Sequence, residues 1–155
     1  MCRTYYPVGL RTQLKVPLKS VSIQIKVVDF FSSATMEQEY RNEESFSINT
    51  EFVFLVRQNI SITNLSWEID GISSEAKIKD CKEANKLFQS AVKRGFLAGI
   101  LEFENGRFLT MKIGNLNPWS VIKISVQFVE VLAIDETNHL TLELPSEIMN
   151  VEGME

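Results

Sequence analysis

The feature that most restricts the fold is strict two-residue alternation. Ile122, Ile124, Val126 and Phe128 are separated by Lys123, Ser125 and Gln127. Val21, Ile23, Ile25 and Val27 are likewise separated by Ser22, Gln24 and Lys26. Side chains two apart share one face of a strand, so each run predicts a half-buried β-strand. The same period marks 34–41, where Thr35, Glu37 and Glu39 face water, then Leu109, Met111 and Ile113, and finally Leu140, Leu142 and Leu144. Asp29 and Ser32-Ser33 read as a break between the first two strands. The apolar run 52–56 reads as a strand buried on both faces, and 96–103 as a further apolar strand. Between 60 and 69 the alternation changes phase from Ile62 to Leu65, which predicts a bulge near Thr63-Asn64. Asp70-Gly71 and Asn105-Gly106 are dipeptides that accept the positive φ angles of tight hairpins.

One stretch breaks this period. Ala84, Leu87, Phe88, Ala91 and Val92 recur at helical spacing and predict an apolar stripe on a helix over 80–94. Asp80 is placed to cap its start, with Glu83 three residues on. Lys93 and Arg94 suit the negative end of the helix dipole, and Gly95 suits the left-handed position beyond it. The expected fold is therefore mainly β: an antiparallel β-sandwich of about nine strands with one amphipathic helix. Pro7, Gly9 and Pro17 leave the N-terminal stretch as an arm or an irregular edge strand. The expected organisation is an arm at 1–7, a folded unit at 8–145 and an acidic tail at 146–155.

Charge and cysteine content exclude some functions. At 45% apolar and 23% charged residues, the chain has the composition of a soluble globular domain. The net charge of −4 gives no footprint for nucleic acid. The distribution is uneven: charged residues up to 26 are basic (Arg3, Arg11, Lys15, Lys19, Lys26), and those from Glu130 onward are acidic. Cys2 and Cys81 are too few for a disulfide framework. The start lacks the apolar core of a signal peptide and no run reaches membrane-spanning length, so the expected location is cytoplasmic. Asn59-Ile60-Ser61 and Asn64-Leu65-Ser66 match the glycosylation acceptor pattern and are read as chance matches in that setting.

A recognisable series of short motifs runs along the chain. Pro17-Leu18-Lys19-Ser20-Val21 is followed by Tyr40-Arg41-Asn42-Glu43-Glu44, Phe52-Val53-Phe54, Asp70-Gly71 and Lys82-Glu83-Ala84. Then come Ala91-Val92-Lys93-Arg94-Gly95, Gly114-Asn115-Leu116, Phe128-Val129-Glu130-Val131-Leu132 and Leu144-Pro145. In this order and spacing the chain resembles the VIT (vault protein inter-alpha-trypsin) domain over residues 8–145, most closely the intracellular type in which a von Willebrand A domain follows. The resemblance implies a non-catalytic module that supports or binds other protein domains, with an adjoining von Willebrand A domain as the nearest partner. Three positions depart from the family pattern. Leu55-Val56-Arg57 replaces a proline-bearing stretch, Phe88 replaces a tyrosine, and Trp119 stands where glycine commonly follows proline. These departures count against carrying over any family surface at the loops after residues 55 and 117.

Residues able to carry chemistry are sparse, and no enzyme is expected. One histidine and two cysteines do not furnish a zinc site, and Gly95-Phe96-Leu97-Ala98-Gly99 lacks the lysine and spacing of a phosphate loop. Asp29-Phe30-Phe31-Ser32-Ser33 has the wrong spacing for a von Willebrand A metal loop. No metal, cofactor or catalytic residue is assigned. His139 reads as an exposed loop residue. Cys81, first in the helix, has either a thiolate favoured by the helix dipole or the plain role of a small first-turn residue, and the second reading is preferred. Lys77, Lys79, Lys82, Lys86, Lys93 and Arg94 read as a solvated helix face. Trp67, in phase with Leu65 and Ile69, reads as core. Trp119 either folds back over an apolar edge, the favoured reading, or stands out as a binding anchor. The leading functional expectation is a protein-interaction or scaffold module. A ligand-binding sandwich, for example one holding a glycan through Trp119, is the alternative, and a redox-reactive thiol at Cys81 the third.

Overall fold

A computed structural model describes residues 2–5, 16–56, 59–75, 81–104 and 108–142. In chain order the elements are β1 (Cys2–Tyr5), β2 (Leu18–Val28), β3 (Phe31–Arg41), β4 (Ile48–Leu55), β5 (Ile60–Ile69) and β6 (Ile72–Glu75). The helix α1 (Cys81–Lys93) follows, then β7 (Ala98–Glu104), β8 (Phe108–Leu116), β9 (Val121–Val131) and the short hairpin β10 (Ala133–Ile134) and β11 (Leu140–Thr141). Every pairing is antiparallel. Of the two large sheets one has the order β1-β4-β8-β7 and the other β2-β3-β9-β5-β6, while among the described residues β10 and β11 pair only with each other.

The two sheets meet face to face in one core. Met36, Tyr40, Leu65, Ile69, Ile122, Ile124 and Val126 come from the five-stranded sheet. Ile48, Phe52, Leu109, Met111, Ile113 and Leu116 come from the four-stranded sheet. The Tyr40 and Phe52 rings bridge the sheets at 4.8 Å between centroids, tilted by 58°, an arrangement aromatic pairs favour. Trp67 is half-buried against this core. Its ring crosses to the opposite sheet, where a Cβ built on Gly99 would lie 3.1 Å from Trp67 Cζ2. The predicted antiparallel sandwich is thus the observed one.

Several expectations are sharpened or corrected. Cys2–Tyr5 takes the edge-strand form, pairing with β4 from Cys2↔Phe52 to Tyr5↔Asn49, so the sheet reaches back into the expected arm. The break between β2 and β3 narrows to Asp29 and Phe30, with Asp29 at φ 52 and Ser32-Ser33 inside β3. The bulge lies where the phase change placed it, between Ile62 and Asn64. Asp70 and Gly71 both have positive φ, at 49 and 86, as a type I′ hairpin turn requires. The strand expected over Leu140, Leu142 and Leu144 shrinks to Leu140–Thr141; Leu144 lies outside the described residues, as does Asn105-Gly106.

The strand buried on both faces is β8, not the 52–56 run. In β4 Phe52 is buried while Val53 and Phe54 are half-buried. In β8 Leu109, Thr110, Met111, Ile113, Gly114 and Leu116 are all buried. The reason is α1, which crosses from one sheet to the other and rests on β7 and β8. Sequence alternation reported the inner face of β8 correctly, but it held no sign that a helix would cover the outer one.

The helix seat is built from the Gly114-Asn115-Leu116 motif. A Cβ on Gly114 would stand 2.2 Å from Val92 Cγ2, so only glycine admits the helix at this distance. Asn115, at φ 57, donates from Nδ2 to Val92 O (2.9 Å) and Phe96 O (3.0 Å), satisfying carbonyls at the helix end. Its own N–H is held by Asn49 Oδ1 at 2.9 Å. Leu116 points into the core, fully buried. The helix closes as Gly95 predicted: Phe96 N–H donates to Ala91 O (3.0 Å) and Gly95 N–H to Val92 O (3.0 Å), with Gly95 at φ 79, the Schellman pattern. Ala84, Phe88, Ala91 and Val92 are half-buried, but Leu87, expected in the stripe, is 53% exposed. The buried face instead turns toward Asn85, whose Nδ2 donates to Glu102 Oε1 at 2.7 Å. Asp80 lies outside the described residues.

Glu102 also accepts from Lys112, whose Nζ lies 3.9 Å from Glu51 Oε1. The Lys112 hydrogen bond holds the Glu102 carboxyl below its ordinary value of 4.5, against an opposing effect of burial and with help from Asn85. A depressed folded-state pKa gives stability that is present above the unfolded value and lost as pH falls through the folded one. Stability is therefore expected to decline below about pH 4.5, partly through this site. In Glu102→Gln that part of the acid limb should flatten. Urea midpoints taken from pH 6 downward measure it, and an unchanged acid limb in the variant would exclude Glu102 as a contributor.

A candidate interaction site at one end of the sandwich

Three connections meet at the end of the sheets where β3 finishes and β9 begins. Asn42, within the Tyr40-Arg41-Asn42-Glu43-Glu44 motif, organises them. Only 1% exposed, it donates from Nδ2 to Phe46 O (3.1 Å), Leu116 O (3.1 Å) and Asn117 O (2.8 Å). Its Oδ1 accepts from Glu44 N–H at 3.0 Å, and its backbone N–H donates to Ser120 O at 2.9 Å. Ser120 Oγ donates to Asp70 Oδ2 (2.5 Å), and Val121 N–H to Asp70 Oδ1 (3.0 Å). The hairpin at 70–71, the loop at 42–47 and the turn at 117–120 thus form one hydrogen-bonded platform. Lys19 Nζ, 2.7 Å from Glu43 Oε1, ties β2 to it.

Trp119 stands on this platform. It is 55% exposed, and its backbone is left-handed at φ 64. That conformation suits glycine, the residue the family pattern has there, and is strained for a bulky side chain. The favoured expectation, an indole folded over an apolar edge, is corrected: the ring faces solvent, with the Arg41 guanidinium 5.9 Å from its centroid. Phe46 (42% exposed) lies in a loop joined by the same platform, and Ile72 (72%) opens β6 directly after the hairpin turn that the platform holds. Tryptophan and arginine are both among the residue types most enriched at interface hot spots. Arg41 and Phe46 escaped the sequence reading, although Tyr40-Arg41-Asn42 lay within a family motif. Their importance depends on which loops converge.

Strain makes a separable prediction. Trp119→Gly relieves the left-handed backbone, whereas Trp119→Ala keeps it while removing the same ring. The glycine variant should therefore be the more stable of the two by about 1 kcal/mol in urea denaturation. Equal stabilities would show that φ at this position carries no strain.

The other candidates are not brought into this site. Cys81 is the first residue of α1, as expected, but its side chain lies outside the description. His139 is exposed in the β10–β11 hairpin. Asp135 Oδ1 accepts from His139 N–H (2.9 Å), Thr137 N–H (2.9 Å) and Thr137 Oγ1 (2.8 Å), and the Thr137 hydroxyl lies 2.8 Å from His139 Nδ1. The His139 backbone bond and then the Thr137 hydroxyl hold the Asp135 carboxyl below its usual range. Here the carboxylate fastens a turn; the imidazole stands 3.9 Å from it rather than being oriented by it, unlike the base of a catalytic triad. Lys82, Lys86 and Lys93 are exposed on the helix and Arg94 just beyond its end, and Lys77 and Lys79 lie outside the described residues. Arg94 packs over Phe96 at 4.9 Å. A shallow concavity lined by Gln24, Lys26, Thr35, Thr63 and Gln127 lies on the five-stranded sheet, toward the Asp29 end and away from Trp119. Among the described residues no group of His, Cys, Asp and Glu is arranged to hold a metal ion, and no helix is long and apolar enough to cross a membrane.

These elements define a mainly β, two-sheet module whose recurring short motifs serve as structural fastenings. The family model for the vault protein inter-alpha-trypsin (VIT) domain matches residues 18–128, and the chain belongs to that family. It is similar to von Willebrand factor A domain-containing protein 5A of Rattus norvegicus, at 27% identity over 134 residues, covering 85% of this chain and 16% of the relative. The Homo sapiens protein of that name is 26% identical over 133 residues, covering 84% and 17%. Protein mono-ADP-ribosyltransferase PARP4 of Mus musculus is 27% identical over 119 residues, covering 77% and 6%. The chain thus spans about one sixth of the length of the von Willebrand factor A relatives.

Proposed function

We propose that this chain is a non-catalytic module acting through protein–protein contacts, with the Trp119–Arg41 end as its contact surface. The observation that carries this is the exposed indole held at a strained φ on a hydrogen-bonded platform centred on the buried Asn42. Strain retained at a solvent-facing aromatic points to a role outside the folded domain's own stability. The proposed partner is a von Willebrand A domain, adjoining in the same chain or presented by another, as the names of the relatives suggest. The proposed compartment is the cytoplasm.

The test titrates the chain with the von Willebrand A domain of the human relative by calorimetry, using wild type, Trp119→Ala and Trp119→Gly. Loss of a hot-spot aromatic should weaken binding about 30-fold in both variants, whatever their stabilities. Affinity unchanged in both would remove Trp119 from the interface. Absence of binding by wild type, together with a melting temperature raised by a glycan, would favour the ligand-binding alternative.

A further inference from the structure

We propose that β2 is a self-pairing edge, through which two copies of this chain join their five-stranded sheets into one continuous sheet. Among the described residues the strand lies at the end of the order β2-β3-β9-β5-β6, and it runs eleven residues, Leu18–Val28. An edge strand presents unpaired backbone N–H and C=O groups, and proteins usually blunt such edges with proline, bulges or charges. Here the stretch 20–25 holds no charge and no proline, and the register irregularity is confined to Leu18/Ser20. Val21, Ile23, Ile25 and Val27 face inward, opposite Gln38, Met36, Ala34 and Ser32 of β3, yet Ile25 and Val27 remain 38% and 51% exposed.

The occupant follows from pairing this strand with itself. An antiparallel two-fold centred on Ile23 sets Val21 against Ile25 and Ser22 against Gln24, which keeps the apolar row on one face of both copies. It sets Lys26 against Ser20, and Lys19 against Val27, so no like charges oppose. A two-fold one step away, between Ser22 and Ile23, would instead place Lys19 on Lys26. The Ile23-centred register also complements charge along the outer face. Ser20, Glu39, Lys123 and Glu68 already form one row across the sheet, in successive cross-strand pairs. A second copy adds its Lys26 to that row beside the small Ser20. Two strands of about 4.8 Å then separate Lys26 from Glu39 of the first copy, a span that the two long side chains close. Glu39 is only loosely engaged at present, 3.9 Å from Lys123 Nζ. The completed row alternates in sign across the junction, twice by symmetry.

This surface lies on β2 and does not depend on the Trp119 reading, so each can fail alone. Sedimentation equilibrium of the 155-residue chain across a wide concentration range should show a monomer–dimer equilibrium. Lys26→Glu, which sets acid against Glu39, should weaken the dimer about tenfold or more. The exchange Lys26→Glu with Glu39→Lys should restore it, and Ile25→Lys should abolish it by aiming a charge inward at the edge. Trp119→Ala should leave it unchanged. A wild-type chain that stays monomeric, or a dimer indifferent to Lys26→Glu and Ile25→Lys, overturns the proposal.

Discussion

Replacing Asn42 by alanine is expected to destabilise the domain by about 2–4 kcal/mol, because one buried amide serves three carbonyls and one N–H. Without it the buried Leu116 O and the part-buried Asn117 O lose a donor, and the 42–47 loop loses its tie to the 117–120 turn. Asn42→Asp is the sharper variant. A carboxylate there directs negative charge at carbonyl oxygens, so at neutral pH it should be worse than alanine. Protonation restores one donor, so its deficit should shrink as pH falls toward the carboxyl range. Urea denaturation at pH 7 and pH 4.5 tests this, and an aspartate variant as stable as wild type at pH 7 would refute the donor role.

Gly114→Ala is expected to cost about 1–3 kcal/mol by overpacking, since the new methyl would enter the Val92 side chain. The helix must then rise from β8, straining the Asn115 bonds to Val92 O and Phe96 O. Val92→Ala alone should cost less, as the side chain is only half-buried. Combined, the two should recover about 1 kcal/mol or more relative to their sum, the signature of a direct steric conflict. Strict additivity in a double-mutant cycle would mean that the helix yields at no cost.

Both variants concern motif residues, and they show why so much of the fold could be read from sequence while the site could not. The strands at Ile122–Phe128 and Val21–Val27, the Thr63-Asn64 bulge and the Asp70-Gly71 turn follow from side-chain period and local φ preference. Those are properties of neighbours in the chain. The Gly95 stop is local in the same sense, set by the left-handed position after a helix. Family resemblance pointed to Gly114, Asn115 and Asn42 without saying what they do. Their roles are contacts across large sequence separations: Gly114 with Val92, and Asn42 with Leu116 and Asn117. The same holds for Trp119. Its neighbour Arg41 is brought alongside by pairing of Arg41 with Val121 across β3 and β9.

By itself, then, the sequence determined the antiparallel sandwich, the amphipathic helix with its Gly95 stop, the Asp70-Gly71 turn and the family, because periodicity and turn chemistry act within a few residues. Tertiary structure alone decided that β8 is covered on both sides, that Leu87 is left to solvent and that β2 is the end strand of its sheet among the described residues. It also decided that Trp119 stands out rather than folding back. Each of these depends on which surfaces face one another, and strand alternation gives the side a residue is on without saying what, if anything, covers it.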